Sequence, residues 1–209
     1  AVEQLRVLGR GIGVPVFHLE GETPPKVCQA GVAEAAAKGN DVVILDTASW
    51  NQLEVVADVL RPIRDRIIVV DHHLVPDEPL PSFAFLNPHR PECGFAYKGL
   101  CSAGLAFSLG AALRTQMGAK LDLRGWLDLV AVGTIADLAP LTGDNRRLVR
   151  AGLKRLASAS ARPALQLMRQ ALKIPEAADL SARDVAFRFS PRLNAPGRLG
   201  EADLTLRFL

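Results

Sequence analysis

RIIVVDHH, residues 66–73, is an apolar run that stops abruptly at one acid and two imidazoles. Its hydrophobic residues are continuous and β-branched, the pattern of a strand covered on both faces of a parallel sheet. DVVILD, Asp41–Asp46, repeats that pattern upstream and also ends on a carboxylate. Between the two, Leu53, Val56, Ala57 and Leu60 fall on one face of a helix over residues 50–60, and Pro62 stops it. Strand, helix and strand at this spacing predict a parallel sheet. Ligands of such sheets bind beyond the carboxyl ends of the strands, which makes Asp46, Asp71, His72 and His73 candidate functional residues.

Upstream, the spacing predicts a helix over residues 2–8, a strand over 14–19 and an Ala-rich helix from about Pro25 to Lys38, closed by Gly39 and Asn40. Downstream, SFAFL (82–86) reads as a third strand, followed by the proline- and glycine-rich loop NPHRPECGFAY (87–97). Helices are expected over 102–117 and 121–136, the latter with Leu123, Trp126, Leu127, Val130 and Ala131 on one face and Asp137 at its end. Two more are expected over 146–157 and 164–173. The last stretch, from Asp184 to Leu209, ends inside an amphipathic helical pattern, so the expectation is a truncated chain. The predicted class is α/β: a Rossmann-like, doubly wound parallel sheet over residues 1–157, with a helical extension over 158–209.

Composition bounds the function classes. At 209 residues, with 49% hydrophobic and 22% charged residues, the chain excludes disordered, collagen-like and coiled-coil proteins. Its net charge of +3 tolerates an anionic partner without demanding one. Cys28, Cys93 and Cys101 are odd in number and lack CxxC spacing, which argues against a disulfide framework or zinc ribbon and for a reducing, cytoplasmic setting. Apolar stretches fall short of the roughly 20 residues that cross a bilayer, and the first residues lack a signal-peptide pattern, so no membrane route is expected. No internal repeat is present.

Adjacent parallel strands lie about 4.8 Å apart, which would bring the end of DVVILD beside Asp71, His72 and His73. Carboxylate oxygens and an imidazole nitrogen form a donor set for Mg²⁺ or Mn²⁺, with the histidine tilting the choice toward Mn²⁺. A single Asp or His at a strand end more often just caps loop amides; a run of three weighs against that.

VVDHH (69–73) resembles the signature of the DHH phosphoesterase family. LNPHRPECGFAYKGLCSAGLAF (86–107), LDLVAVGTIADLAPLTGDNRRLVRAGLKRL (127–156) and FRFSPRLNAPGRLGEAD (187–203) resemble, in order, its RecJ branch of single-strand-specific exonucleases. The resemblance implies a Rossmann-like fold binding two divalent ions, usually Mn²⁺. It implies that Asp46 bridges the ions, His72 ligates, Asp71 supports it, His73 faces the scissile phosphate and Asp137 holds one ion. Arg192, Asn194 and Arg198 would lie near substrate phosphates, where guanidinium groups bind in a bidentate manner. The implied reaction is metal-assisted hydrolysis of single-stranded DNA or short oligonucleotides, with no side-chain nucleophile. Cys93 and Cys101 read as loop or small apolar residues. An oligoribonucleotide or cyclic-dinucleotide phosphodiesterase shares the same centre. With aromatics at 5%, strand binding would be mainly electrostatic.

One departure is specific. The family's first motif, DxDG, does not occur in the sequence. Residues 1–48 instead resemble the G domain of signal recognition particle GTPases, with DTA at 46–48, but without a GxxxxGKT phosphate loop or TKxD, so no GTP is expected. The two resemblances meet at Asp46 and imply a mosaic or engineered chimera. The rival reading is therefore an inactive scaffold that at most binds phosphate or single strands.

Overall fold

The computed structural model describes residues 24–39, 57–75, 77, 82–175, 178–198 and 208–209. The expected helix at 2–8, the strands at 14–19 and 41–46 with Asp46, and the first turns of the helix at 50–60 lie outside these residues.

The Ala-rich helix is α1, Pro24–Ala37, and it closes through Gly39 at φ 67°, a left-handed turn that glycine adopts without steric cost. The apolar run of residues 66–73 contributes β1, Ile68–Val70, and SFAFL contributes β2, Ala84–Leu86. They pair in parallel, Ile68 opposite Ala84 and Val70 opposite Leu86. Asp71 N–H donates to Leu86 O at 3.0 Å, so the ladder runs one residue past β1 before the chain turns away. Cys28 of α1, Leu60 and Val69 are buried together, with Val32 and Phe85 against them. That contact covers one face of the parallel pair, and burial pushes the Cys28 thiol up from its ordinary pKa, as for a small apolar residue.

Helices follow in an unbroken series. α2 is Ser102–Gln116. The single helix expected over 121–136 is instead a 3₁₀ turn, Leu123–Trp126, running into α3, Leu127–Ala136. The physical reason lies at Asp122, whose side chain accepts from Arg124 N–H at 3.0 Å and so closes a tight turn before the α-helix begins. α4 is Gly143–Leu156 and α5 is Pro163–Ala171, opened by proline where no amide donor is needed. A Ser181–Asp184 capping box then starts a short helix, which passes through a π-helical segment, Val185–Phe189, into α6, Ser190–Arg198. The amphipathic pattern read there is thus helical as far as Arg198, with Pro196 inside the helix.

Close approach sets the helix packing. A Cβ on Gly152 of α4 would stand 2.1 Å from Leu127 O and 2.4 Å from Ala131 Cβ, so α3 and α4 touch backbone to backbone there. A Cβ on Gly133 of α3 would stand 2.8 Å from Ala103 Cβ of α2. The main helical core joins Val132 and Ile135 of α3, Val149 and Leu156 of α4, and Leu165, Ile174, Leu180, Val185 and Phe189. Residues beyond 157 therefore buttress α3, the helix whose end carries Asp137. The architecture is α/β, helices packed against a parallel pair, and no described helix is long and apolar enough to cross a membrane.

Candidate functional site

Parallel pairing places the carboxyl ends of β1 and β2 at one edge, so Asp71, His72 and His73 meet the residue that follows β2, Asn87. Asn87 Nδ2 donates to Asp71 Oδ2 at 3.0 Å and to His73 O at 2.9 Å, and Asn87 Oδ1 accepts from His89 N–H at 2.8 Å. One buried amide thus fixes the strand-end turn and the start of the next loop together. The other oxygen of Asp71 lies 2.7 Å from His73 Nδ1. Asp71 is therefore the partner of His73 and Asn87, where the family resemblance paired it with His72. A carboxylate on Nδ1 favours the tautomer with the proton there and leaves His73 Nε2 facing outward on a largely exposed ring. The rings of His72 and His73 lie 4.4 Å apart between centroids, tilted by 40°.

His72 takes a different direction. Its Nε2 stands 3.8 Å from Asp137 Oδ1, 65 residues further along the chain by their numbering. Asp137 is the last residue of α3's terminal turn, its N–H donating to Gly133 O at 3.0 Å. Leu138 follows at φ 57°, and Ala139 N–H returns to Thr134 O at 3.2 Å, a Schellman closure that aims the carboxylate out of the helix end.

His72 and Asp137 line a cavity of about 330 Å³ with His89, Lys98, Gly99, Leu100, Ala139 and Pro140. Its walls are strapped together. Fully buried Asn145 donates to Gly99 O at 2.6 Å and Pro140 O at 3.0 Å, and Tyr97 OH donates to Pro140 O at 3.0 Å. Cys101 Sγ meets Thr134 Oγ1 at 3.5 Å, joining the start of α2 to α3. Cys101 is buried and Cys93 sits half-buried in its loop.

The donor chemistry fits a hard or borderline divalent ion. With metal–ligand bonds of about 2.0–2.1 Å, one ion spans donors up to roughly 4 Å apart, and His72 Nε2 and Asp137 Oδ1 fall inside that span. Among the described residues no group of three His, Cys, Asp or Glu donors gathers. Asp46, the third predicted donor, lies outside them. Arg192 and Asn194 are exposed on α6 and do not line the cavity; Arg192 Nη1 donates to Arg188 O at 2.8 Å. Arg198 closes the same helix. His89, Lys98 and Asn87 are the site-forming residues that the sequence pattern did not single out.

Known proteins resemble this chain in sequence and fold. A family model, DHH family, N-terminal domain, matches residues 7–134. The single-stranded-DNA-specific exonuclease RecJ of Dickeya dadantii is 36% identical over 189 residues, 85% of this chain and 32% of that protein. The crystal structure of RecJ in complex with Mn²⁺ from Thermus thermophilus matches 100% of this chain and 30% of its own, with a TM-score of 0.65 at 32% identity. Its counterpart in complex with Mg²⁺ matches 97% of this chain and 34% of its own, with a TM-score of 0.53 at 29% identity. The chain thus spans about a third of the length of these relatives. The signal recognition particle protein of Synechococcus elongatus is 42% identical over 55 residues, only 26% of this chain and 11% of that protein, a partial likeness beside the longer RecJ match.

Proposed function

The chain belongs to the DHH family, and from that premise we propose that it is the hydrolytic centre of a RecJ-like exonuclease, cleaving phosphodiesters of single-stranded DNA or short oligonucleotides with Mn²⁺ or Mg²⁺. The observation that carries this reading is the convergence of His72 Nε2 and Asp137 Oδ1, 3.8 Å apart, on a cavity that also holds a lysine. Asp46, His72 and Asp137 are the proposed metal ligands. When bound, the metal supplies Lewis-acid activation of water and neutralisation of charge on the phosphate.

The chain's own residues do the rest. Asp71 orients His73 through the 2.7 Å contact at Nδ1, so that His73 Nε2 faces the scissile phosphate. Asn87 holds both against movement. Arg192, Asn194 and Arg198 are proposed to contact phosphates further along the strand. Residues 1–157 form the proposed catalytic domain, and 158–209 the extension that backs α3.

A second reading is phosphate or single-strand binding without turnover. One experiment separates the two: an end-labelled single-stranded oligonucleotide with millimolar Mn²⁺, cut by the parent and by His72→Ala and Asp137→Ala. Release of nucleotides by the parent, reduced at least about a hundredfold in each variant, is the expected result. Folded parent protein that binds the strand and releases nothing would establish the second reading.

A further inference from the structure

We propose that Lys98 is a substrate-binding residue, its ammonium taking a phosphate oxygen inside the cavity beside His72 and Asp137. This rests on the reading above and adds to it a residue that none of the family motifs used there assigns. Lys98 lines the same cavity as His72, His89 and Asp137. Its Nζ donates to Cys93 O at 2.7 Å, which uses one of three ammonium protons and leaves two for a ligand. Among the described residues it forms no ion pair, and its stem is partly buried.

The ammonium is also held in place before any ligand arrives. Leu100, two residues on, is buried. Gly99 O is bonded to Asn145, and the preceding Tyr97 is bonded to Pro140 across the cavity wall. A lysine serving only as a solvated surface charge has no need of a carbonyl anchor or of braces on both sides. A cavity of about 330 Å³ stands at the small end of ligand sites, which run from about 300 to 1,000 Å³. That volume admits a phosphate and part of its nucleotide. The ligand class is therefore a phosphate ester of a single strand, bound by charge.

The test uses the full chain and a 3′-fluorescein oligothymidylate in EDTA, so that binding is read without turnover. Anisotropy titrations from 50 to 200 mM salt compare the parent with Lys98→Met and Lys98→Arg. Lys98→Met is expected to weaken binding about tenfold and to reduce the slope of log K against log salt by about 0.7, the share of one phosphate contact on a single strand. Lys98→Arg retains the charge and the slope. Weaker binding by Lys98→Met with an unchanged slope would assign Lys98 a purely structural role and overturn the proposal, as would unchanged affinity. Mn²⁺ affinity, measured by calorimetry in the same proteins, should stay within about twofold of the parent. Loss of Mn²⁺ binding in the parent itself would sink the metal-centre reading while the salt slope still decides the role of Lys98.

Discussion

Asn87 Nδ2 donates to Asp71 Oδ2 at 3.0 Å, so the residue after β2 is bonded to the residue after β1. Both side chains are buried, and the same amide nitrogen also holds His73 O at 2.9 Å. Asn87→Leu keeps the volume and removes every one of these bonds. It leaves a buried carboxylate short of a donor, expected to lower stability by about 1–3 kcal/mol in urea denaturation. Mn²⁺ affinity is expected to fall by about 10–100-fold, the usual loss when an outer partner of a metal site is removed. Calorimetry on folded Asn87→Leu that returned the parent's Mn²⁺ affinity would confine Asn87 to packing.

Asp128 is fully buried on α3 between two arginines, Arg162 Nε at 3.5 Å and Arg155 Nε at 3.7 Å from its oxygens. It also accepts from Leu129 N–H at 2.9 Å and Arg162 N–H at 3.2 Å, whereas neither guanidinium Nε has a hydrogen-bond partner. Asp128→Ala therefore strands two cations and two amides and is expected to cost about 3–5 kcal/mol of unfolding free energy. Combining Asp128→Leu with Arg155→Met and Arg162→Met removes the charges together and should recover most of that loss. A single-variant cost below about 1 kcal/mol would show that the arginines reach solvent on their own.

The sheet was legible because continuous β-branched runs with polar ends have few other readings, and β1 and β2 fall within the predicted stretches. The pairing of His72 with Asp137 was legible only through the family resemblance, since periodicity alone shows Asp137 as a helix end. His89 and Lys98 lie in a loop without periodicity, and their place beside His72 depends on Asn145 bridging Gly99 and Pro140 over 46 and 5 residues. Asn87 carried a usable signal: an amide side chain directly after a strand, at the sheet edge where ligands bind. The 3₁₀ start before α3 was hidden because a side-chain bond from Asp122 outcompetes the helical pattern locally.

Asp122 supplies a pH prediction. Arg124 donates side-chain bonds to both carboxylate oxygens, Nε at 2.9 and 3.1 Å and Nη2 at 2.9 Å, and its backbone N–H adds another. These bonds, the guanidinium's first, hold the carboxyl at about 2. A pKa lowered on folding gives a stabilisation that is complete above the unfolded value of about 3.9 and lost as pH falls through the folded one. NMR titration of the Asp122 carboxyl carbon should give a midpoint of about 2, and Arg124→Ala should return it toward about 3.9. An unshifted midpoint in the parent would mean that the bidentate pair is not formed in solution.

Leu138 stands next to Asp137 in a conformation that leucine rarely adopts. Its φ is 57° and its side chain is 87% exposed, so little burial offsets the left-handed backbone, whose steric cost is roughly 1–2 kcal/mol for an L-residue. The turn itself is held by backbone bonds, Leu138 N–H to Ile135 O at 3.1 Å and Ala139 N–H to Thr134 O at 3.2 Å, and glycine makes both. Leu138→Gly is therefore expected to raise stability by about 1 kcal/mol after its larger unfolded-state entropy is counted, which is a Tm higher by about 2–4 °C in a chain of this size. Leu138→Val, β-branched in the same backbone, should lower it. Because the Schellman bonds and not the leucine side chain aim Asp137 out of α3, Mn²⁺ affinity in Leu138→Gly should match the parent's. A destabilised Leu138→Gly would instead show that the exposed leucine is covered in the folded protein, by chain outside the described residues or by a second molecule.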